Sequence, residues 1–287
     1  MPDPVRPPSW NIGSTANLPL LKRHPVRGAQ YEMNRMLPTR RSFLQGSAVL
    51  TMAASPFMAS AEPAGDKGRI QARPATQPQV PPPSSGLHKL GLGEARDGLL
   101  YVPAGHDLTR PMPLVLMLHG AGGVAGHVVP MLQGIADQRG ILILAPDSRR
   151  PDTWDVIRGG YGPDVQFIDR ALGYVFERFQ TDPRRVAVGG FSDGASYALS
   201  IGLTNGDLFQ NILAFSPGFA APAQTRDKPR IFISHGDKDE VLPVERCGRR
   251  LARELSRSGY DVDYREFAGG HVVPPEMVAA ATNRFLA

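Results

Sequence analysis

Cysteine is nearly absent from this chain. Cys247 stands alone among 287 residues, which excludes any intrachain disulfide. Long apolar runs are missing too: no stretch of 18 or more apolar residues occurs, so no stable membrane span is expected. There is no G-x-G-x-x-G and no Walker lysine, the two common marks of a nucleotide site. Charge of one sign is also lacking where a polyanion would need it. The formal net charge is +5, but residues 1–61 carry seven Lys or Arg against two Asp or Glu, and residues 62–287 carry 25 of each. The body is formally neutral, and nothing on it points to nucleic acid.

Residues 1–61 read as an N-terminal extension with an export signal. Arg40-Arg41 with Phe43-Leu44 precedes a mildly apolar stretch from Gly46 to Met58, and Ala59-Ser60-Ala61 follows. A basic region, a short apolar region and an A-x-A cleavage site, in that order, make a secretory signal. The arginine pair is similar to the twin-arginine type, which would bring in that export machinery as a partner. The mature protein is then expected in the periplasm or outside the cell, cut near Ala61. A signal counted from Met1 would have an unusually long basic region, so Met33 or Met36 is a plausible start. From Glu62 to Gly86 the chain is rich in Pro, Ala, Gln and Ser. Such a composition buries little apolar surface, and the segment reads as a linker. The folded unit is expected from Leu87 to Ala287.

That unit alternates two kinds of pattern. Short apolar runs at 98–102, 113–118, 141–145, 185–189, 211–215, 230–234 and 261–267 read as buried strands. Helical patterns lie between most of them, at 126–139, 163–180, 193–204, 243–258 and 274–286. Alternation of this kind predicts an α/β fold, a mostly parallel sheet with helices on both faces. Ligands bind such sheets beyond the C-terminal strand ends. Cys247 falls in one of the helical stretches, as a small buried or half-buried thiol.

The chemistry-bearing residues fall at those strand ends. Gly190-Phe191-Ser192-Asp193-Gly194 joins a strand to a helix, so Ser192 is expected on a sharp turn with its Oγ projecting above the sheet. Serine is almost wholly protonated at neutral pH and needs a base. Of the seven histidines, only His271 lies beyond the acidic loop that follows strand 230–234. An acid must orient that histidine, and Asp237, Asp239 and Glu240 all compete on spacing alone. Asp237 has a second reading as a turn former. The small-residue loop His119-Gly120-Ala121-Gly122-Gly123 follows strand 113–118 and lets backbone N–H groups approach a substrate oxygen. Its expected donors are the N–H groups of Ala121 and of Asp193, the latter contributing backbone only.

Taken together, these motifs resemble the phospholipase/carboxylesterase family of α/β-hydrolases, which includes acyl-protein thioesterases. Asp164-Val165-Gln166-Phe167-Ile168 and Thr181-Asp182-Pro183-Arg184-Arg185-Val186 are similar to segments of esterases related to polyhydroxybutyrate depolymerases and feruloyl esterases. The resemblance covers about residues 98–286. It implies Asp239 as the acid, the second aspartate of an HGxxD-x-x-(L/V)P loop, with His271 as the base and His119-Gly120-Ala121 as the oxyanion loop. Two departures stand out: Asp193 replaces the commoner residue after the nucleophile, and the cysteine pairs of many secreted feruloyl esterases and depolymerases are lacking. No insertion is long enough for a large lid. Trp154 and Tyr161, in the loop after strand 141–145, are candidates for the lining of an acyl or aromatic pocket, with packing beneath that loop as the alternative. His127 and Asp164 receive no role.

The expected function is hydrolysis of a small-molecule carboxylic ester through a Ser192-His271-Asp239 triad and an acyl-enzyme, with no metal or organic cofactor required. Thioester or lysophospholipid hydrolysis by the same triad is a second reading. A catalytically silent binding protein on the same fold is the third.

Overall fold

The computed structural model describes residues 67–93, 95–107 and 110–287. The expected export signal, with Arg40, Arg41 and the Ala59–Ala61 cleavage site, lies outside these residues.

The apolar runs become strands: β1 Gly86–Lys89, β2 Gly98–Val102, β3 Met112–Leu118, β4 Leu142–Pro146, β5 Thr181–Phe191, β6 Asn211–Phe215, β7 Arg230–Gly236 and β8 Val262–Phe267. They form one sheet in the order β1-β2-β4-β3-β5-β6-β7-β8. β1 and β2 run antiparallel at one edge, and every pairing from β4 to β8 is parallel. Strands β3, β4 and β6 are buried along their whole length, as parallel strands covered on both faces should be. The outer strand β8, reading VDYREF, is polar and only half-buried, which suits an edge that must not pair with another chain.

Alternation along each strand decides which layer a residue joins. Val115 and Met117 pack on one face with α1 (Ala125–Arg139) and α5 (Pro275–Leu286), through Val128, Leu132 and Phe285. Leu114, Leu116 and Leu118 face the opposite layer of α2 (Pro163–Phe176), α3 (Asp193–Thr204) and α4 (Gly248–Arg257). Both helical layers expected from the sequence are present. No helix of the described residues is long and apolar enough to cross a membrane.

Three boundaries differ from expectation. Helix α2 stops at Phe176 and β5 begins at Thr181, because Met112 N–H reaches Gln180 O and Met112 pairs with Thr181. Helix α4 begins only at Gly248, since the N–H groups of Arg246 and Cys247 both turn back to Pro243 O. Cys247 is buried there, and burial raises its thiol pKa.

The third difference is a correction. The segment read as a linker is laid on the body from residue 67. Ile70 is wholly buried in the α2–α3 layer. Its N–H donates to Asn205 Oδ1 at 2.9 Å, and Asn205 Nδ2 donates to Gly68 O at 2.8 Å. Arg69 donates to Thr204 O at the end of α3 and pairs with Asp207 at 2.7 Å. Gln71 and Ala72 give their N–H groups to Asp169 Oδ1, and Gln79 and Val80 give theirs to Glu177 O. The composition does keep this stretch extended, but one isoleucine and a set of captured main-chain donors are enough to fix it. Its end is also structured, for β1 starts at Gly86.

Candidate active site

Strand β5 runs straight into α3 at Ser192. The turn is tight enough that Ser192 takes φ 59° and ψ −120°, a conformation that costs a non-glycine residue on the order of 1–3 kcal/mol. Two glycines allow it. A Cβ on Gly190 would lie 2.3 Å from Gly194 O, and one on Gly194 would lie 2.3 Å from Leu118 O. The Ser192 N–H is tied to Phe215 O on the neighbouring strand at 3.0 Å. The side chain is thereby presented at the C-terminal edge of the sheet.

The loops after β7 and β8 bring their residues to the same edge. His271 Nε2 lies 2.8 Å from Ser192 Oγ, and His271 Nδ1 lies 2.6 Å from Asp239 Oδ2. A carboxylate only accepts, so Nδ1 carries a proton and the neutral ring presents the lone pair of Nε2 to the serine hydroxyl. The other oxygen, Asp239 Oδ1, accepts the N–H groups of Val241 at 2.9 Å and Leu242 at 2.8 Å. Burial acts to raise the Asp239 pKa, but the bonds from His271 and these two amides outweigh it and hold the carboxyl below its usual range.

The three acids left open on spacing now separate. Asp239 is buried against His271, while Glu240 and Asp237 are exposed. Asp237 serves the turn in a different way from the one expected: its Oδ1 accepts the Gly269 N–H at 2.9 Å, joining the acid loop to the histidine loop. Sequence reasoning missed His235. Its Nε2 donates to Leu242 O at 2.7 Å and stands 3.3 Å from Asp239 Oδ2. Burial lowers its pKa, so the ring is neutral behind the acid. Phe191 was also missed; its ring packs on His271 with centroids 4.7 Å apart.

The oxyanion loop is held from behind. Ser148 N–H donates to His119 Nε2 at 3.0 Å, so the His119 proton is on Nδ1, which donates to Gly120 O at 2.7 Å. Burial lowers the His119 pKa and keeps this ring neutral. Trp154 Nε1 donates to His119 O at 2.8 Å, and Gly122 N–H reaches Asp152 O at 2.7 Å. Among the turn and loop hydrogen bonds of the described residues, none uses the N–H of Ala121 or Asp193. As the first residue of α3, Asp193 has no intrahelical acceptor for its N–H. Two backbone donors are thus left for an incoming oxygen. The Asp193 carboxylate takes the Thr153 hydroxyl at 2.5 Å, a tie between the nucleophile helix and loop 147–154 that sequence patterns do not reveal.

The two pocket candidates are corrected. Trp154 is wholly buried, sandwiched between the rings of His119 and Tyr197. Tyr161 packs its ring on Gly68 and donates its hydroxyl to Ala221 O at 2.9 Å. A buried indole N–H needs an acceptor, and the one supplied lies under the oxyanion loop rather than in a cleft. The open space beside His271 is a cleft of about 410 Å³ between α1 and the histidine loop, and neither residue lines it. Asp164, left without a role, also turns out to be structural. It accepts the N–H groups of Arg149 and Asp155, and burial raises its pKa to about 6. Among the described residues, no group of three or more His, Cys, Asp or Glu side chains is arranged to hold a metal ion.

Known proteins similar to this chain include esterases and a thioesterase. The model of the phospholipase/carboxylesterase family matches residues 165–287, the stretch that carries Ser192, Asp239 and His271, and the chain resembles that family. An acyl-protein thioesterase 1 of Gibberella zeae is 32% identical over 104 residues, which is 33% of this chain and 44% of that protein. A probable feruloyl esterase C of Aspergillus oryzae is 26% identical over 169 residues, 56% of this chain and 60% of that protein. The chain thus spans less than two thirds of either relative. A propionate-bound esterase of Thermogutta terrifontis superposes with a TM-score of 0.57 at 16% identity, over 71% of this chain and 94% of that one. At that identity the likeness speaks for the fold alone, and the fold is that of the α/β-hydrolases.

Proposed function

We propose that this protein is a serine hydrolase that cleaves carboxylic esters through an acyl-enzyme on Ser192. The observation that carries the reading is the unbroken line from Ser192 Oγ to His271 to Asp239, at 2.8 and 2.6 Å, beside two unused backbone donors. As Oγ bonds to the substrate carbonyl carbon, its proton passes to His271 Nε2 and the carbonyl electron pair moves onto oxygen. The N–H groups of Ala121 and Asp193 stabilise that oxygen, from a site that needs no reorganisation as charge develops. Collapse breaks the bond to the leaving alkoxide, which takes the proton from Nε2. Water then adds to the acyl carbon as its proton passes to the same nitrogen, and collapse breaks the bond to Ser192 Oγ, which recovers that proton as the acid leaves. Asp239 stays ionised throughout, fixing the tautomer and stabilising the imidazolium. The names of the relatives, feruloyl esterase and acyl-protein thioesterase, fit this reaction class. A thioester would pass through the same steps with a thiolate leaving.

The test is covalent labelling by a fluorophosphonate. Stoichiometric labelling that Ser192→Ala abolishes is expected; a wild-type protein that neither labels nor turns over any ester would favour a silent binding protein. We also propose export through the twin-arginine route on the strength of Arg40-Arg41 and Ala59-Ser60-Ala61. Replacing both arginines with lysine should then hold the precursor in the cytoplasm, and normal export of that variant would exclude the route.

A further inference from the structure

The cleft beside His271 differs in its lining from four other hollows, each of which carries charged side chains. One wall is His271, Val272 and Val273; the facing wall is Val128 and Met131 of α1, with Phe191 below and the oxyanion loop closing one end. Among the described residues, no carboxylate, ammonium or guanidinium lines it, and His127 is the one lining side chain besides His271 with a nitrogen or oxygen atom. The larger hollow of about 620 Å³ is the opposite case: Arg96, Arg149 and Arg170 line it, and it shares no residue with the triad. The exposed large apolar side chains of the described residues are Leu87, Val241 and Val272. Val241 sits two residues past Asp239, and Val272 directly follows His271, with 53% of its surface exposed.

The position of the cleft decides which half of an ester it faces. The leaving oxygen takes its proton from His271 Nε2, so the group bonded to that oxygen must lie against His271. The cleft is the space directly against that ring.

We propose that this cleft holds the alcohol half of the substrate and selects esters of uncharged, apolar alcohols, alkyl or aryl, over esters of sugars or charged alcohols. The inference rests on the serine-hydrolase reading and names the substrate class of that same site. Each methylene buried in such a pocket strengthens binding. A sugar would leave hydroxyls facing Val128, Met131 and Val273, and each group left without a hydrogen-bond partner weakens binding. The site therefore favours apolar alcohols by both terms.

Two ester series test this. In the first the acyl group is always acetyl and the alcohol runs through ethyl, butyl, octyl and benzyl, with a xylose acetate as the polar member. In the second the alcohol is always ethyl and the acyl chain lengthens. Because kcat/KM reports acylation from free enzyme and ester, it reads alcohol binding directly. Octyl or benzyl acetate should exceed ethyl acetate at least about tenfold in kcat/KM, and xylose acetate should fall below it. Met131→Trp, which fills the cleft, should collapse the octyl-to-ethyl ratio. Val272→Asp, at an exposed position, should lower the same ratio by adding charge at the rim, and it serves if Met131→Trp fails to fold. A gain that follows the acyl series instead, a preference for the xylose ester, or a ratio that both variants leave intact would overturn the proposal. A wild-type protein without turnover or fluorophosphonate labelling would strike the hydrolase reading itself.

Discussion

The β5–β8 half of the sheet and the segments packed around α2 and β4 hold their parts in place by different means. In the first, parallel ladders bring successive strand ends to one level: Phe191 pairs with Phe215, Phe215 with Ser234, and Gly236 with Phe267. Three loops leave that edge together, and Ser192, Asp239 and His271 meet although 79 and 32 residues separate the bonded pairs. In the second, loop 147–162 and strap 67–80 belong to no ladder. Single side chains hold their backbone: Asp164, Asp155, Asp169 and Asn205 each capture two or more polar groups from elsewhere. Periodic packing places the reacting groups, whereas isolated polar contacts brace them.

If this contrast is right, the largest effects belong to the ladder-borne residues. Asp239→Asn should lower kcat by roughly 10³–10⁴, because His271 loses the carboxylate that fixes its tautomer. Asp237→Asn should cost far less, since an amide oxygen can still accept the Gly269 N–H. Reversed magnitudes in steady-state kinetics would move the acid to Asp237 and leave the fold untouched.

Bracing residues should give intermediate effects. Trp154→Phe keeps most of the ring packing but leaves His119 O, directly behind the oxyanion loop, without its donor. The loss in kcat should stay below the roughly 10²–10³ that follows outright removal of an oxyanion donor, with KM little changed. A rise in KM at constant kcat would return Trp154 to the substrate pocket.

The smallest effect on turnover is expected from the strap. Ile70→Ala should leave kcat near its original value while costing about 2–5 kcal/mol of stability, as for other buried aliphatic truncations. The unchanged stability of such a variant in urea would restore the linker reading. The strap also carries an acid dependence. The Arg69 guanidinium, with Arg73, outweighs the effect of burial and holds the Asp207 carboxyl well below its ordinary range. A depressed carboxyl stabilises the fold above its unfolded pKa, about 3.9, and that contribution is lost as pH falls further. Asp207→Asn should therefore flatten the drop in Tm below about pH 4.

The same contrast explains what the sequence could and could not disclose. Strand period, helix period and the Gly-Phe-Ser-Asp-Gly turn are repeating or local signals, and they marked out the α/β sheet, Ser192 and His271. Asp239 needed the family resemblance, because Asp237, Asp239 and Glu240 are equivalent on spacing and only the fold of the loop points one of them inward. Trp154 stayed open between pocket and packing because an aromatic residue near a site has the same letter whether it faces solvent or a buried carbonyl. The strap was misread because its hold depends on Asn205, Asp207 and Asp169, more than 90 residues away. No window of composition around Ile70 contains that information.

The central claim is that Ser192 and His271 act as one unit, and kcat of the double variant against the two single variants tests it most directly. Ser192→Ala and His271→Ala should each remove nearly all turnover, by about 10⁶ as in a serine protease that loses its nucleophile or base, and the pair together should lose scarcely more. The residual rate would come from the backbone donors and substrate positioning. Losses that multiply, or a His271→Ala variant with near-normal kcat, would mean that Ser192 is not activated by His271.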